Sequence, residues 1–176
     1  MLKSNENHAT VKVFLLWLCV SVFFVFIDQA TKHIALNNLS YLKPVNMFYM
    51  FSFGIDFTLV FNEGAAFSFL SDAGGWQRWF FASFAIFAVV ALSVYLLNIL
   101  KSNTKEVLRP LAVSLILSGA LGNLIDRVLL GHVIDFISVY YQNWYWPAFN
   151  IADMCISFGI MLLFVEMLFI KNKFIY

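Results

Sequence analysis

A chain of 176 residues holds one domain of ordinary size. It is 62% apolar and only 12% charged, against roughly 25% charged residues in soluble domains, which excludes a freely soluble fold and makes lipid the appropriate solvent. A net charge of +1, without a basic run, excludes nucleic acid as a partner.

Four apolar stretches have the makings of membrane spans. Val11–Ile27 is uncharged after Lys12, Trp79–Leu100 carries no charge, Leu111–Ile125 follows Pro110, and Ala148–Ile170 carries Glu166 near its far end. A bilayer core of about 30 Å needs roughly 20 residues of helix. The first and third stretches reach that length only if helix continues past Asp28 and Asp126. Helices are therefore expected near residues 11–32, 76–100, 109–127 and 148–171 of a single polytopic domain, residues 1–176, with an outer segment at 40–75. Pro110 suits a first helical turn, where an N–H would be orphaned anyway. The first span has a basic start, but no small-x-small site precedes Asp28 and no small residues precede Cys19, so it reads as a retained helix.

Seven basic residues (Lys3, Lys12, Lys101, Lys105, Arg109, Lys171, Lys173) fall on one side of these spans and four (Lys32, Lys43, Arg78, Arg127) on the other. That excess places both termini and the 101–109 loop in the cytoplasm and the two long connections outside. In the first connection Ile55, Phe57, Leu59 and Phe61 alternate with Asp56, Thr58 and Val60, the period of a strand with one apolar face. Gly54 before it and Asn62-Glu63-Gly64 after it read as turns, and Ala65–Leu70 as a short surface helix. The aromatic run Tyr140–Trp146 suits a headgroup interface. A small sheet of this kind can receive an extended peptide as an added strand. Cys19 and Cys155 lie in apolar stretches and read as small fillers.

Ionisable groups beside spans are costly and mark candidate sites. Asp28 and Lys32 have the i,i+4 spacing of a helix-surface ion pair. Asn62 reads first as a turn residue and, alternatively, as a buried amide for a substrate backbone. Gly119, Ala120 and Gly122 permit close helix packing, and Asn123, Asp126 and Arg127 beyond them form either a polar stop or a functional face, since Asn123 and Asp126 lie three apart. Asp135 sits between Ile134 and Phe136, where desolvation raises a carboxyl pKa. Asn150 and Asp153 have the spacing of a helix cap, Asn150 as N-cap and Asp153 as the acid at the third helical position.

Two aspartates at the outer ends of the third and fourth helices can meet if those helices are neighbours and then share one proton, so that one takes a proton from water while the other polarises a carbonyl. Rival protease chemistries find less support. The sequence has no HExxH, its histidines (His8, His33, His132) are scattered, and no histidine lies in a span to activate Ser114 or Ser118. A GxGD motif is absent as well. A proton relay for transport would need its acids near the bilayer midplane, whereas these gather at one face. An assembly partner that binds membrane helices without chemistry is the third class.

Taken together, Asp28-Gln-x-Thr-Lys32, Asn62-x-Gly-Ala-Ala-Phe67, Gly119-Ala-Leu-Gly-Asn-Leu-Ile-Asp-Arg127, Val133-x-Asp135-Phe136 and Phe149-Asn150-x-Ala-Asp153 closely resemble the motifs of lipoprotein signal peptidase, or signal peptidase II, in order and spacing. The resemblance runs from the first span to the fourth. It implies an all-α membrane protein with four transmembrane helices, a small extracytoplasmic β-sheet that cradles substrate, and a short surface helix. It implies an aspartic endopeptidase of the bacterial inner membrane, with Asp135 and Asp153 as catalytic dyad and neither metal nor cofactor. Asn62, Asn123, Arg127 and Asn150 would support substrate and dyad, and Asp28, Lys32, Gly119 and Asp126 the surrounding structure. The implied partner is a prolipoprotein signal peptide, cut before a cysteine carrying diacylglycerol. Ser118 and Met154 depart from the glycine and small residue common there, which implies looser helix packing and an altered pocket floor.

Overall fold

The computed structural model describes residues 2–64, 76–102 and 107–169. The short surface helix expected at Ala65–Leu70 lies outside the described residues. Helices α1 (Leu2–Asn38), α2 (Trp76–Ser102), α3 (Leu108–Leu129) and α4 (Ile151–Phe169) occupy the four expected spans, and all four are long and apolar enough to cross a membrane. Pro110 stands in the first turn of α3.

Packing assigns the helices different solvents. α3 lies against each of the other three helices, and 56% of its most apolar stretch is buried, against 22% or less in the others. Phe26, Phe87 and Phe164, by contrast, point outward with more than half their surface free. A helix with an apolar outer face is at home in hydrocarbon, because its backbone groups are already paired. Close contact between α3 and α4 depends on glycine. A Cβ on Gly119 would collide with the Ala152 carbonyl and come within 2.6 Å of Ile156, and one on Gly159 would stand 2.6 Å from the Ala112 carbonyl. Ser118 stays buried and donates to its own helix at Leu115 O, 2.7 Å, so α3 and α4 remain closely packed beside it. The core proper is Trp17, Leu96, Ile99, Leu100 and Val113, contributed by α1, α2 and α3. Nearer the opposite end from the sheet, Arg109 Nε reaches both carboxylate oxygens of Glu166, at 2.8 and 2.9 Å, tying α3 to α4.

Strands β1 (Val45–Met50), β2 (Phe53–Asn62), β3 (Val133–Tyr141) and β4 (Trp144–Tyr145) form one antiparallel sheet in the order β1-β2-β3-β4. The single strand read from the alternation at 55–61 is β2, and its facing is not the simple one. Asp56 is buried while Ile55 and Phe57 are half-buried, and Leu59 is buried within an irregularity between Phe57 and Val60. An extra residue in a strand resets which side chains face inward, so a fixed period of two fails across it. Gly54 is not a turn residue. It lies within β2 beneath Tyr140, whose ring would collide with any Cβ there. The aromatic run at Tyr140–Trp146 flanks the exposed turn at Gln142 and Asn143, with Tyr140 and Tyr141 closing β3 and Trp144 and Tyr145 forming β4.

Helix α4 begins at Ile151, three residues later than expected. The reason is backbone pairing. Phe149 bridges to Ile137, with Phe136 N–H and Ile137 N–H both donating to its carbonyl, at 3.1 and 2.9 Å. Residues ahead of α4 are thus drawn into the sheet and away from the helix.

Candidate active site

Asp135 and Asp153 reach one cavity from different elements. Asp135 stands on β3, opposite Val60 of β2, and the Phe149 bridge brings Asn150 and the first turn of α4 alongside it. Asn150 then touches both acids. Its Nδ2 donates to Asp135 Oδ1 at 2.7 Å. Its Oδ1 accepts from Asp153 N–H at 3.0 Å, and its own N–H donates to Asp153 Oδ2 at 3.2 Å. The last two bonds are a reciprocal capping box. The helix-cap reading of these residues is realised, and the capping amide also bonds Asp135.

Each acid has a further amide. Asn62 Nδ2 donates to Asp135 Oδ2 at 3.0 Å, while its Oδ1 accepts from Gly64 N–H at 3.1 Å. Asn123 Nδ2 donates to Asp153 Oδ1 at 2.8 Å. Asp135 is only 2% exposed. Burial, and then the negative charge of Asp153, push its carboxyl up to about 7, against the hydrogen bonds from Asn62 and Asn150 and the charge of Lys32. Near neutral pH this acid is therefore poised between its two forms, as a proton donor and acceptor must be.

Beneath the acids lies a buried polar cluster. Asp28 and Lys32, expected as a surface pair, are each 1% exposed. The helix end that carries them faces α3 and α4, where each charge finds partners. Lys32 Nζ contacts Asp28 Oδ2 at 2.9 Å, Asp126 Oδ2 at 2.8 Å and Asn123 Oδ1 at 3.1 Å. The two carboxylates also grip the backbone just ahead of each candidate acid. Asp28 Oδ1 accepts from Ala152 N–H at 2.8 Å, and Asp126 Oδ2 from Ile134 N–H at 3.1 Å. Gly122 leaves room for Asp28, whose Oδ2 lies 2.5 Å from where a Cβ would sit. Gln29, not singled out in the sequence though it lies within the Asp28–Lys32 motif, donates to Asp126 Oδ1 at 2.9 Å and to Gly122 O at 3.2 Å.

Arg127 is half-buried over the Phe81 ring, 5.5 Å from its centre, and lines the cavity with both acids. Its neighbour in space, Arg78, gave no signal in the sequence beyond its charge. Arg78 donates to Arg127 O at 2.9 Å and Val128 O at 2.6 Å, satisfying carbonyls at the end of α3. The cavity, ≈ 1060 Å³, is walled by Tyr41, Phe61, Ser138, Tyr145, Trp146 and Phe149, and it continues along α4 past Met154 to Phe158. Met154 does line the pocket, as its departure from a small residue led one to expect.

Four apolar spans, with two acids lining one half-open cavity at one end of the bundle, define a multi-pass membrane protein with an acidic site. The family model described as signal peptidase (SPase) II matches residues 20–169. Similar relatives include the lipoprotein signal peptidase of Acinetobacter baumannii, 50% identical over 90% of this chain and 86% of its own. That of Pseudoalteromonas atlantica is 51% identical over 90% of each chain. Among solved structures, a bacterial membrane enzyme determined by the in meso method at 2.3 Å shares 32% identity, with a TM-score of 0.74 over 90% of each chain. The chain belongs to the signal peptidase II family, a family of proteases.

Proposed function

We propose that this protein is an aspartic endopeptidase that removes signal peptides from lipoprotein precursors, cutting before a cysteine that carries diacylglycerol. Membership of the signal peptidase II family supports the precursor as substrate. The observation that carries the chemistry is the pairing of Asp135 and Asp153 on one cavity, both bonded to Asn150, with Asp135 pushed up to about 7. Such a pair keeps one proton between two carboxyls. The ionised partner withdraws a proton from water as it attacks the scissile carbonyl. The protonated partner donates to the carbonyl oxygen, and proton return to the leaving amine completes cleavage. Asn62 and Arg127, both on the cavity wall, are suited to hold the substrate backbone, while Asn123 and Asn150 keep the acids in place.

The cavity's extension along α4 supports entry of an apolar signal segment from the bilayer side, with acyl chains remaining in lipid. The excess of basic residues on the opposite face supports cytoplasmic termini and a site at the outer leaflet of the bacterial inner membrane. Purified protein and a diacylglyceryl-modified precursor in detergent provide the test. Asp135→Asn and Asp153→Asn are each expected to lower cleavage by about 10²–10⁴-fold or more while the protein stays folded. Near-normal cleavage by either variant refutes the dyad.

A further inference from the structure

We infer that Lys32 is a positioning residue for cleavage: by donating to the amide oxygen of Asn123 it fixes which end of that amide faces Asp153, and so keeps an N–H directed at the Asp153 carboxylate. The inference rests on the two-aspartate reading proposed above.

An ammonium has donors and no acceptor. At 3.1 Å from Lys32 Nζ, the Asn123 side chain can present only its oxygen, and its Nδ2 is thereby turned to Asp153 Oδ1 at 2.8 Å. Asn150 Nδ2 donates to the same oxygen at 3.2 Å, but once the ammonium is gone only this neutral bond opposes a rotation that offers Asp153 the amide oxygen and favours its protonated form. Bonds in series also polarise one another, so a cation on the oxygen strengthens the N–H directed at Asp153. Neither amide on the other acid carries a cation on its oxygen: Asn150, which donates to Asp135, accepts from the neutral N–H of Asp153. Asn62, which faces Asp135, is oriented by the neutral N–H of Gly64.

The charged groups around this route come from every element that meets there. Asp28 and Lys32 stand on α1, Asp126 and Arg127 on α3, Asp135 on β3 and Asp153 on α4, with Glu63 on the cavity wall after β2. Asp28, Lys32 and Asp126 together carry a net charge of −1, since two carboxylates share one ammonium. Their bonds to Ala152 and Ile134 N–H groups give the cluster a structural task of its own. Orientation of Asn123 is a separate task, and pH dependence separates the two.

The test compares wild type with Lys32→Met, which removes the side-chain donor to Asn123 Oδ1, and with the double variant Asp28→Asn/Lys32→Met, which removes it while keeping the cluster at −1. Detergent-purified proteins are assayed on the diacylglyceryl-modified precursor across pH, with folded fraction measured by thermal denaturation. The expected result is an acid limb of the kcat/KM profile displaced upward by about one pH unit. A fall in kcat of tenfold or more at neutral pH, with little change in KM, should accompany it, in both variants. A profile scaled down equally at every pH overturns the inference, as does failure of both variants to fold, because each leaves Lys32 with a structural role alone. Asp135→Asn and Asp153→Asn run beside them as controls. Cleavage by those would sink the dyad and not the role of Lys32 in orienting Asn123.

Discussion

At the scale of single residues, Asp135 couples activity to stability. Its carboxyl holds a proton up to about 7 in the folded chain, against 3.8 ordinarily. The folded state therefore binds that proton more tightly than the unfolded one. This contribution to stability is complete below pH 3.8 and is lost as pH rises through about 7, a swing of at most about 4 kcal/mol. The stability of Asp135→Asn relative to wild type should accordingly climb between pH 4 and pH 8, measured by thermal denaturation in detergent. A difference that does not vary with pH would contradict it. In the same range, cleavage by wild type is expected to fall as Asp135 loses its proton above about pH 7. Much of this chemistry was readable from the chain. Asp135 between Ile134 and Phe136 announced a desolvated acid, and Asn150 with Asp153 announced a cap. What local sequence concealed was that the cap residue Asp153 also lies on the cavity with Asp135 and bonds Asn123 of another helix. Nor did the i,i+4 spacing of Asp28 and Lys32 reveal their burial, since spacing reports neighbours along one helix and not what packs on it.

Elements were readable in proportion to how far their own composition determines them. The spans declared themselves, because hydrocarbon demands unbroken apolar helix whatever the partners. Strand β1 gave no period: all its residues are exposed and its apolar side chains face both ways. Strand β3 is rich in β-branched residues (Val133, Ile134, Ile137, Val139), a signal hidden by buried residues on both faces. Glu166 was visible as a charge in a span, and α3 supplies its partner. Replacing Arg109 by methionine leaves that acid buried without its guanidinium, and the expected loss is about 2–3 kcal/mol, toward the lower end because the Arg109 side chain is 38% exposed. Adding Glu166→Gln should restore most of it. Cleavage by the single variant at a permissive temperature should stay close to wild type, since the pair lies at the far end of α3 from the cavity. A parallel drop in activity and stability would show instead that the two ends of α3 are coupled.

Across the whole molecule, the polar groups are sorted by end. The Asp28–Lys32–Asp126 cluster, both candidate acids and the sheet occupy one end of the bundle, and Arg109 with Glu166 the other. The proposed orientation puts the first end outside. A cysteine at Asn143, in the turn between β3 and β4, should react with a membrane-impermeant thiol reagent on intact cells, and one at Lys101 only after lysis. Reversed reactivity would overturn the orientation. Cys19, exposed on α1 within a span, is expected to stay unlabelled, because an impermeant reagent does not reach a thiol in hydrocarbon.

The bridge between Phe149 and Ile137 sets a timetable. A membrane protein is threaded into its bilayer from the first residue to the last, and Asp135 emerges before α4 exists. Asn150 and Asp153 arrive with the final helix, whose opening turn completes the cavity. On the proposed two-acid chemistry, a half-inserted chain has one acid and no partner for it, so it would not cut a passing signal segment or its own first helix while synthesis continues. Cutting would then wait for the last act of assembly.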